Sequence, residues 1–327
     1  MRALVYTGAE RLELREVADA VAGPGEELIG VERVGICGSD MHAYLGHDSR
    51  RPAPLILGHE AAGIIVGGPR DGQCVTVNPL VTCGTCPACR AGRDNLCPNR
   101  QIISMPPREG AFAQRVAMPG GNLVVVPSGF PLDKAALAEP VACGWHAVRL
   151  GLQALGEGPV RALVLGGGAI GLGAALCLSA RGVADITLVE PNDVRRDYLK
   201  RRCEQNAVDT AEGTFDLVVD GVGFEATRAT ASALVRPGGV IVHIGLGSAA
   251  GGLDIRRMTL QEVTFIGTYT YTAQEFRDTA QAMFAGRLGP LDWIEERPLA
   301  EGARAFADIR AGTVAAPKVM LVPDQLS

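Results

Sequence analysis

The feature that most limits how this chain can fold is the run Gly166-Gly167-Gly168-Ala169-Ile170-Gly171 and what flanks it. Before it, Val160 to Leu165 is apolar apart from Arg161, as a strand buried on both faces should be. After it, Ala169 to Ala180 reads as a helix of small apolar residues, and Ile186 to Glu190 reads as a second strand. A strand, a glycine turn, a helix and a strand in that order form a βαβ unit, which implies a parallel sheet. Phe215 to Asp220, Val240 to Ile244 and Phe265 to Tyr269 supply further strands. The fold class expected for this part is α/β, a doubly wound parallel sheet of Rossmann type.

The same turn matches G-x-G-x-x-G, a pattern that is weak alone and stronger between a strand and a helix. Gly166 permits the turn, Gly168 lets backbone approach a pyrophosphate, and Gly171 lets helix and strand pack. The helix N-terminus favours phosphate charge. Glu190, at the end of the second strand, is placed to accept hydrogen bonds from the adenosine ribose. Its charge would repel a 2′-phosphate, so NAD is expected over NADP. Arg195 and Arg196 pull the other way, since either could reach such a phosphate. Arg195 could instead lie over the adenine ring, and both could simply belong to a solvated helix face.

Residues 1–146 read differently. Short apolar runs such as Val31 to Val34, Gly63 to Val66 and Val75 to Val77 are broken by many of the chain's 42 glycines and 20 prolines. That spacing suggests a barrel-like β domain. We expect the parallel-sheet unit at 147–269 and a tail, 270–327, that returns to the first domain through the apolar strand Val319 to Val322.

Four of the nine cysteines, Cys83, Cys86, Cys89 and Cys97, form a C-x2-C-x2-C-x7-C array. Two-residue spacers let tight turns aim sulfurs at one point, and four thiolates satisfy a tetrahedral zinc ion with no open position. Labile disulfides are the alternative. A second set, Cys37, His59, Glu60 and Glu139, is dispersed and weak by itself. Cys37 and His59-Glu60 follow or adjoin apolar runs, where loops can hold a rigid, accessible metal site. The formal charge of −5 and the lack of a dense Lys/Arg tract argue against a nucleic-acid partner. No stretch is long and apolar enough to span a bilayer. The N-terminal residues read as a first strand and not a signal peptide, and the thiols suit a reducing compartment, so a cytoplasmic protein is expected.

Gly35 to His42, Gly58-His59-Glu60, the four cysteines, Glu139-Pro140 and the glycine turn, in that order, resemble zinc-containing medium-chain dehydrogenases, in particular their sorbitol and polyol branch. The resemblance covers nearly the whole chain. It implies a GroES-like catalytic domain beside the Rossmann domain, two zinc ions per chain, one catalytic and one structural, and NAD-linked oxidation of a secondary alcohol. It makes Cys37 and His59 catalytic-zinc ligands, with Glu60 and Glu139 bound directly, through water or on exchange. Cys143, four residues after Glu139, is a competing ligand that we read as packing, like Cys74, Cys177 and Cys203. Ser39 and His42 would carry the substrate proton to solvent. Ile170, Gly245, Leu246 and Tyr269 would join the glycine turn, Glu190 and Arg195 in holding the coenzyme. Tyr44, Phe112 and Tyr271 are pocket-lining candidates. The resemblance also implies a homodimer or homotetramer and a small alcohol or polyol as substrate.

Departures narrow the reading. Residues 66–73 and 207–215 are shorter than usual in that family. Thr270 stands where sorbitol dehydrogenases carry an arginine, which puts sorbitol itself in doubt. Arg50 and Arg51 could meet a substrate phosphate or be solvated loop charges. Two rival readings are an NADPH-dependent reductase without catalytic zinc and a zinc-ribbon module that only binds nucleotide.

Overall fold

The computed structural model describes residues 1–324 of the chain. Its parallel sheet has six strands in the order Ala207–Val208, Asp185–Val189, Arg161–Leu165, Phe215–Asp220, Val235–His243 and Thr264–Gly267, each pair parallel. The first three strands run outward in one direction and the next three in the other. The order therefore reverses between Arg161–Leu165 and Phe215–Asp220, which opens a crevice at their carboxyl ends. Leu163, Leu165, Val218 and Ile241 face one core, and Ala162, Val164, Leu217, Val219, Val240 and Val242 face the other. Burial on both faces explains why these strands read as unbroken apolar runs. The last strand stops at Gly267, short of the expected Tyr269, because Thr268 turns to bond the His243 carbonyl and Thr270 takes a φ of 47°.

The other large sheet is antiparallel through Leu123–Val125, Cys74–Val77, Glu60–Val66 and Glu26–Gly35, and the last of these also pairs with Arg115–Pro119. Lys318–Val322 joins its other edge, pairing Met320 with Gly35, and carries Ile294–Pro298 alongside in parallel. A smaller sheet of Arg2–Gly8, Arg11–Glu16 and Leu55–Ile56 closes the first unit.

One helix, Ala138–Leu155, joins the two units, and the expected boundary at 146/147 falls inside it. The helix packs on Ala169–Ala180 and on Ala273–Phe284. Residues Phe276, Ala280 and Met283 thus lie in the core beneath the parallel sheet, and the chain rejoins the first unit only at Ile294–Pro298. Glu275 caps this arrangement: it accepts from Thr272 N–H, His146 and Arg149 at 2.9, 2.8 and 2.6 Å. These donors hold its carboxyl down at about 2 against the opposing effect of burial. Among the described residues no helix is long and apolar enough to cross a membrane.

Candidate metal and coenzyme sites

The strand Glu26–Gly35 ends one residue before Ile36, and a short helix, Gly38–Tyr44, begins right after Cys37. This places Cys37 at the mouth of a turn. Asp40 fixes that turn by accepting the Cys37 N–H at 3.0 Å. In the loop just before the strand Glu60–Val66, Gly58 has a φ of 90°, and any Cβ there would meet the Phe112 ring at 2.5 Å. Only glycine allows the tight turn that delivers His59 and Glu60. The metal-ligating atoms of Cys37, His59 and Glu60 lie within 4.8 Å of one another, with His59 and Glu60 buried. That is the three-ligand geometry an open zinc site needs.

Buried charge is balanced on every side of this cluster. Lys318, itself 3% exposed, donates to both oxygens of Glu60 and to the Ile36 carbonyl. Burial alone would lower the Lys318 pKa, but the Glu60 and Cys37 charges raise it. The buried Asp40 carboxylate stands 3.4 Å from His59 Nδ1, and Ser104 Oγ lies at the same 3.4 Å from that nitrogen. Burial disfavours the charged imidazole, yet Asp40 and Cys37 beside it lift the His59 pKa well above its ordinary value. Orienting partners of this kind set the ring and tautomer of a metal-binding histidine. Arg51 ties the surroundings together through the Ser104 carbonyl at 3.0 Å, the Ser39 carbonyl at 3.2 Å and Asp48 at 2.9 Å.

Glu139 arrives from the first turn of the joining helix and stands outside the close set. Its Oε1 accepts from Tyr271 Oη at 2.8 Å. Burial pushes its pKa up to about 7, with the Glu60 charge adding to the rise. Cys143, one turn further along, is half-buried near the same charges, and its thiol pKa is driven well above normal, first by loss of solvent and then by Glu139.

The four-cysteine array forms its own lobe. Its sulfurs lie 3.4 Å apart for Cys86 and Cys89, 3.5 Å for Cys97 and Cys83, and 4.0 Å for Cys83 and Cys89. Zn–S bonds of about 2.3 Å at tetrahedral angles require about 3.8 Å between sulfurs, far more than the roughly 2.05 Å of a disulfide. Cys83 accepts from the Cys86 N–H at 3.4 Å, and the Thr85 and Cys86 backbone donors lower its thiol pKa to about 5. All nine cysteines are unpaired. The donor sets fit one closed and one open zinc site.

At the switch point of the parallel sheet, a Cβ on Gly171 would strike the Gly166 carbonyl at 1.8 Å, while nothing lies within 4 Å of the equivalent point on Gly168. The first glycine is demanded by packing, and the second leaves an open cradle where a phosphate fits. Ile170 is half-buried behind it. Gly245 packs against Val222 and Gly223 across the crevice, and Leu246 is 68% exposed beside it. Glu190 is buried at the strand end and accepts from Gly167 N–H at 2.9 Å and Asn192 N–H at 2.8 Å.

Residues 23–128 match the alcohol dehydrogenase GroES-like domain, and residues 169–285 match the zinc-binding dehydrogenase domain. L-galactonate-5-dehydrogenase of Escherichia coli K12 is 31% identical over 307 residues, covering 88% of each chain. The chain belongs to the zinc-dependent medium-chain dehydrogenases. Sorbitol dehydrogenase of Bacillus subtilis is 33% identical over 295 residues, 83% of this dehydrogenase and 82% of that one. Among solved structures, acetophenone reductase from Geotrichum candidum in complex with NAD superposes with a TM-score of 0.87 at 26% identity, covering 98% of this dehydrogenase and 96% of that chain.

The geometry corrects two expectations. Phe112 is fully buried, 5.9 Å from the Phe306 ring, and Tyr44 packs 5.2 Å from the same ring. Both belong to the catalytic-unit core, where aromatic area is best spent, and not to a pocket wall. Tyr271 does reach the site, but as the hydroxyl partner of Glu139. Arg195 donates to the Val314 carbonyl at 3.1 Å, and Arg196 donates through Nη1 to the carbonyl of Glu190 at 2.9 Å.

Three contributors escaped the sequence reading, Asp40, Ser104 and Lys318, and Arg51, expected to meet a phosphate or to be a solvated loop charge, is instead buried. Two left signals. Asp40 follows Cys37 at the spacing of a helix-capping pair. A lysine opening the apolar strand Lys318–Val322 asks for a buried partner.

Proposed function

We propose that this dehydrogenase reversibly oxidises a secondary hydroxyl of a polyol to a ketone, with NAD as the hydride acceptor. The convergence of Cys37, His59 and Glu60 in a buried but approachable cluster carries the reading, and the names of its relatives, which act on L-galactonate and sorbitol, support it. Cys37, His59 and Glu60 would hold a zinc ion, which would supply the lowering of a bound alcohol's pKa, and a nicotinamide would supply the hydride acceptor. The chain's own groups do the rest. Ser39, whose carbonyl is pinned by Arg51, would take the hydroxyl proton while passing its own on toward His42, one turn along the same helix, which would release it to solvent. Asp40 holds His59 in orientation. Lys318 keeps Glu60 in place, and Glu139, with Tyr271 on its carboxylate, stands ready as the further ligand or water-holder. Glu190 at the end of its strand favours NAD over NADP.

A reductase without catalytic zinc would have no use for the Cys37, His59 and Glu60 convergence. For assembly, the outer edge of Thr264–Gly267 has no partner among the described residues, which supports a homodimer or homotetramer. The unpaired thiols support a cytoplasmic setting. The decisive experiment follows NADH absorbance on zinc-loaded enzyme with a panel of polyols and their acids. Reduction of NAD with one class names the substrate. A flat trace across the panel, on protein holding two zinc ions per chain, overturns the reading.

A further inference from the structure

The four-cysteine lobe reaches beyond its own sulfurs. Asp94–Leu96 is a short 3-10 turn that delivers Cys97, and the Asp94 carbonyl accepts the Cys97 N–H at 2.9 Å. Two side chains of that turn go elsewhere. The buried Asn95 donates through Nδ2 to the Tyr269 carbonyl at 2.8 Å, and the Asp94 carboxylate accepts the Ala273 N–H at 3.0 Å. These partners lie 174 and 179 residues further along the chain. Midway between them stands Tyr271, fully buried, with its hydroxyl on Glu139 at 2.8 Å. The segment is fastened on both flanks as well. Thr268 donates twice to the His243 carbonyl, through its N–H at 2.9 Å and its hydroxyl at 3.0 Å. Thr272 caps the helix Ala273–Phe284, whose Glu275 accepts from His146 and Arg149 on the helix that carries Glu139.

Thr270, inside this segment, has a φ of 47°, an uncommon and costly conformation for a β-branched residue. Its buried hydroxyl has no hydrogen-bond partner among the described residues. Nothing local offsets that cost, so the anchored neighbours impose the conformation. We infer that Asp94 and Asn95 are positioning residues of the active site: by fixing Tyr269 and Ala273 they hold Thr270 in its turn and so keep the Tyr271 hydroxyl on Glu139. The inference rests on the reading above, in which Glu139 serves the Cys37, His59 and Glu60 cluster. A tie that only fastened the lobe to the body of the protein could land anywhere along its surface. These two land two residues before and two residues after the side chain that meets Glu139. Asn95 also makes its bond out of contact with water, where low polarity strengthens it. The lobe thereby shapes a site whose ligands it does not share.

The test is a double-mutant cycle on the zinc-loaded full chain with NAD and sorbitol or L-galactonate, whichever is oxidised. Tyr271→Phe should lower kcat by about tenfold, the worth of one hydrogen bond to a charged group. Asn95→Ala should lower it severalfold, and should add little in the Tyr271→Phe background, because it acts through that hydroxyl. Asp94→Ala repeats the cycle at the other anchor and decides it where Asn95→Ala does not fold. Effects that simply multiply in both cycles, or an unchanged kcat in both anchor variants, overturn the inference. An unchanged kcat in Tyr271→Phe strikes the reading of Glu139, and the inference with it. Hydrogen exchange of residues 269–276, measured without substrate, needs no turnover. It should quicken by about tenfold in the anchor variants at full zinc content, the loss of one hydrogen bond from a locally opening segment. An unchanged exchange rate overturns the inference as well. If neither compound is oxidised, the polyol reading fails on its own and exchange alone decides whether the lobe holds this segment.

Discussion

The two metal-binding clusters are opposites in construction. The four-cysteine lobe is local, half-buried at three of its cysteines and made of one kind of ligand. Its donors come from within fifteen residues of chain and need only turns to converge. The candidate catalytic cluster is assembled from Cys37, His59 and Glu60, is buried at the last two, and is neutralised by a lysine 258 residues from its partner carboxylate. The lobe carries its own geometry. The cluster borrows its geometry from the whole catalytic unit. A closed site of like thiolates can be specified by spacing, whereas an open one needs surroundings that balance charge while leaving room for substrate.

That contrast can be broken most sharply by removing one ligand from each. Cys37→Ala should lower turnover by about a thousandfold or more while one zinc per chain remains and the fold survives, as judged by NADH absorbance, metal analysis and circular dichroism. Unchanged turnover would sink the assignment. Cys97→Ser should act through stability first. A lower melting temperature, about 2–4 °C for each kcal/mol lost, should accompany the loss of the other zinc. An unaltered melting curve with both metals retained would mean the lobe closes without that sulfur.

The next largest effect is expected at the buried ion pair. Lys318→Met leaves Glu60 charged and unpaired in the interior, which should cost about 3–5 kcal/mol in denaturant unfolding of the metal-free protein. The double variant with Glu60→Gln should recover much of that loss. A single variant as stable as the parent would show that Glu60 is not held by this lysine. Smallest, Asp40→Asn should weaken the catalytic zinc by about 10–100-fold in a chelator competition and leave the lobe's zinc untouched. Equal loss from both sites would blur the comparison altogether.

The parallel sheet was legible because burial on both faces writes itself as apolar runs, and the glycine turn because packing there tolerates no side chain. The cysteine lobe was legible because its contacts are local. What stayed hidden depends on distant partners. Nothing near Phe112 in sequence says that it lies against Gly58 and Phe306, and nothing near Arg195 announces the Val314 carbonyl. Arg51 looked like a loop charge until the fold brought Ser39 and Ser104 to it. The end of the last parallel strand was overrun because Thr268 to Tyr271 is β-prone in composition, while Thr270 is held at a positive φ by its surroundings.

The pairing of Lys318 with Glu60 also sets an order in time. Synthesis delivers Cys37, His59 and Glu60 first, then the whole coenzyme unit, and only afterwards the lysine that makes Glu60 tolerable in the interior. Until that strand docks beside Glu26–Gly35, the half-made site holds a carboxylate with no cation to answer it. The unit that holds Cys37, His59 and Glu60 therefore begins to emerge before the coenzyme unit and completes its folding only after that unit has been made.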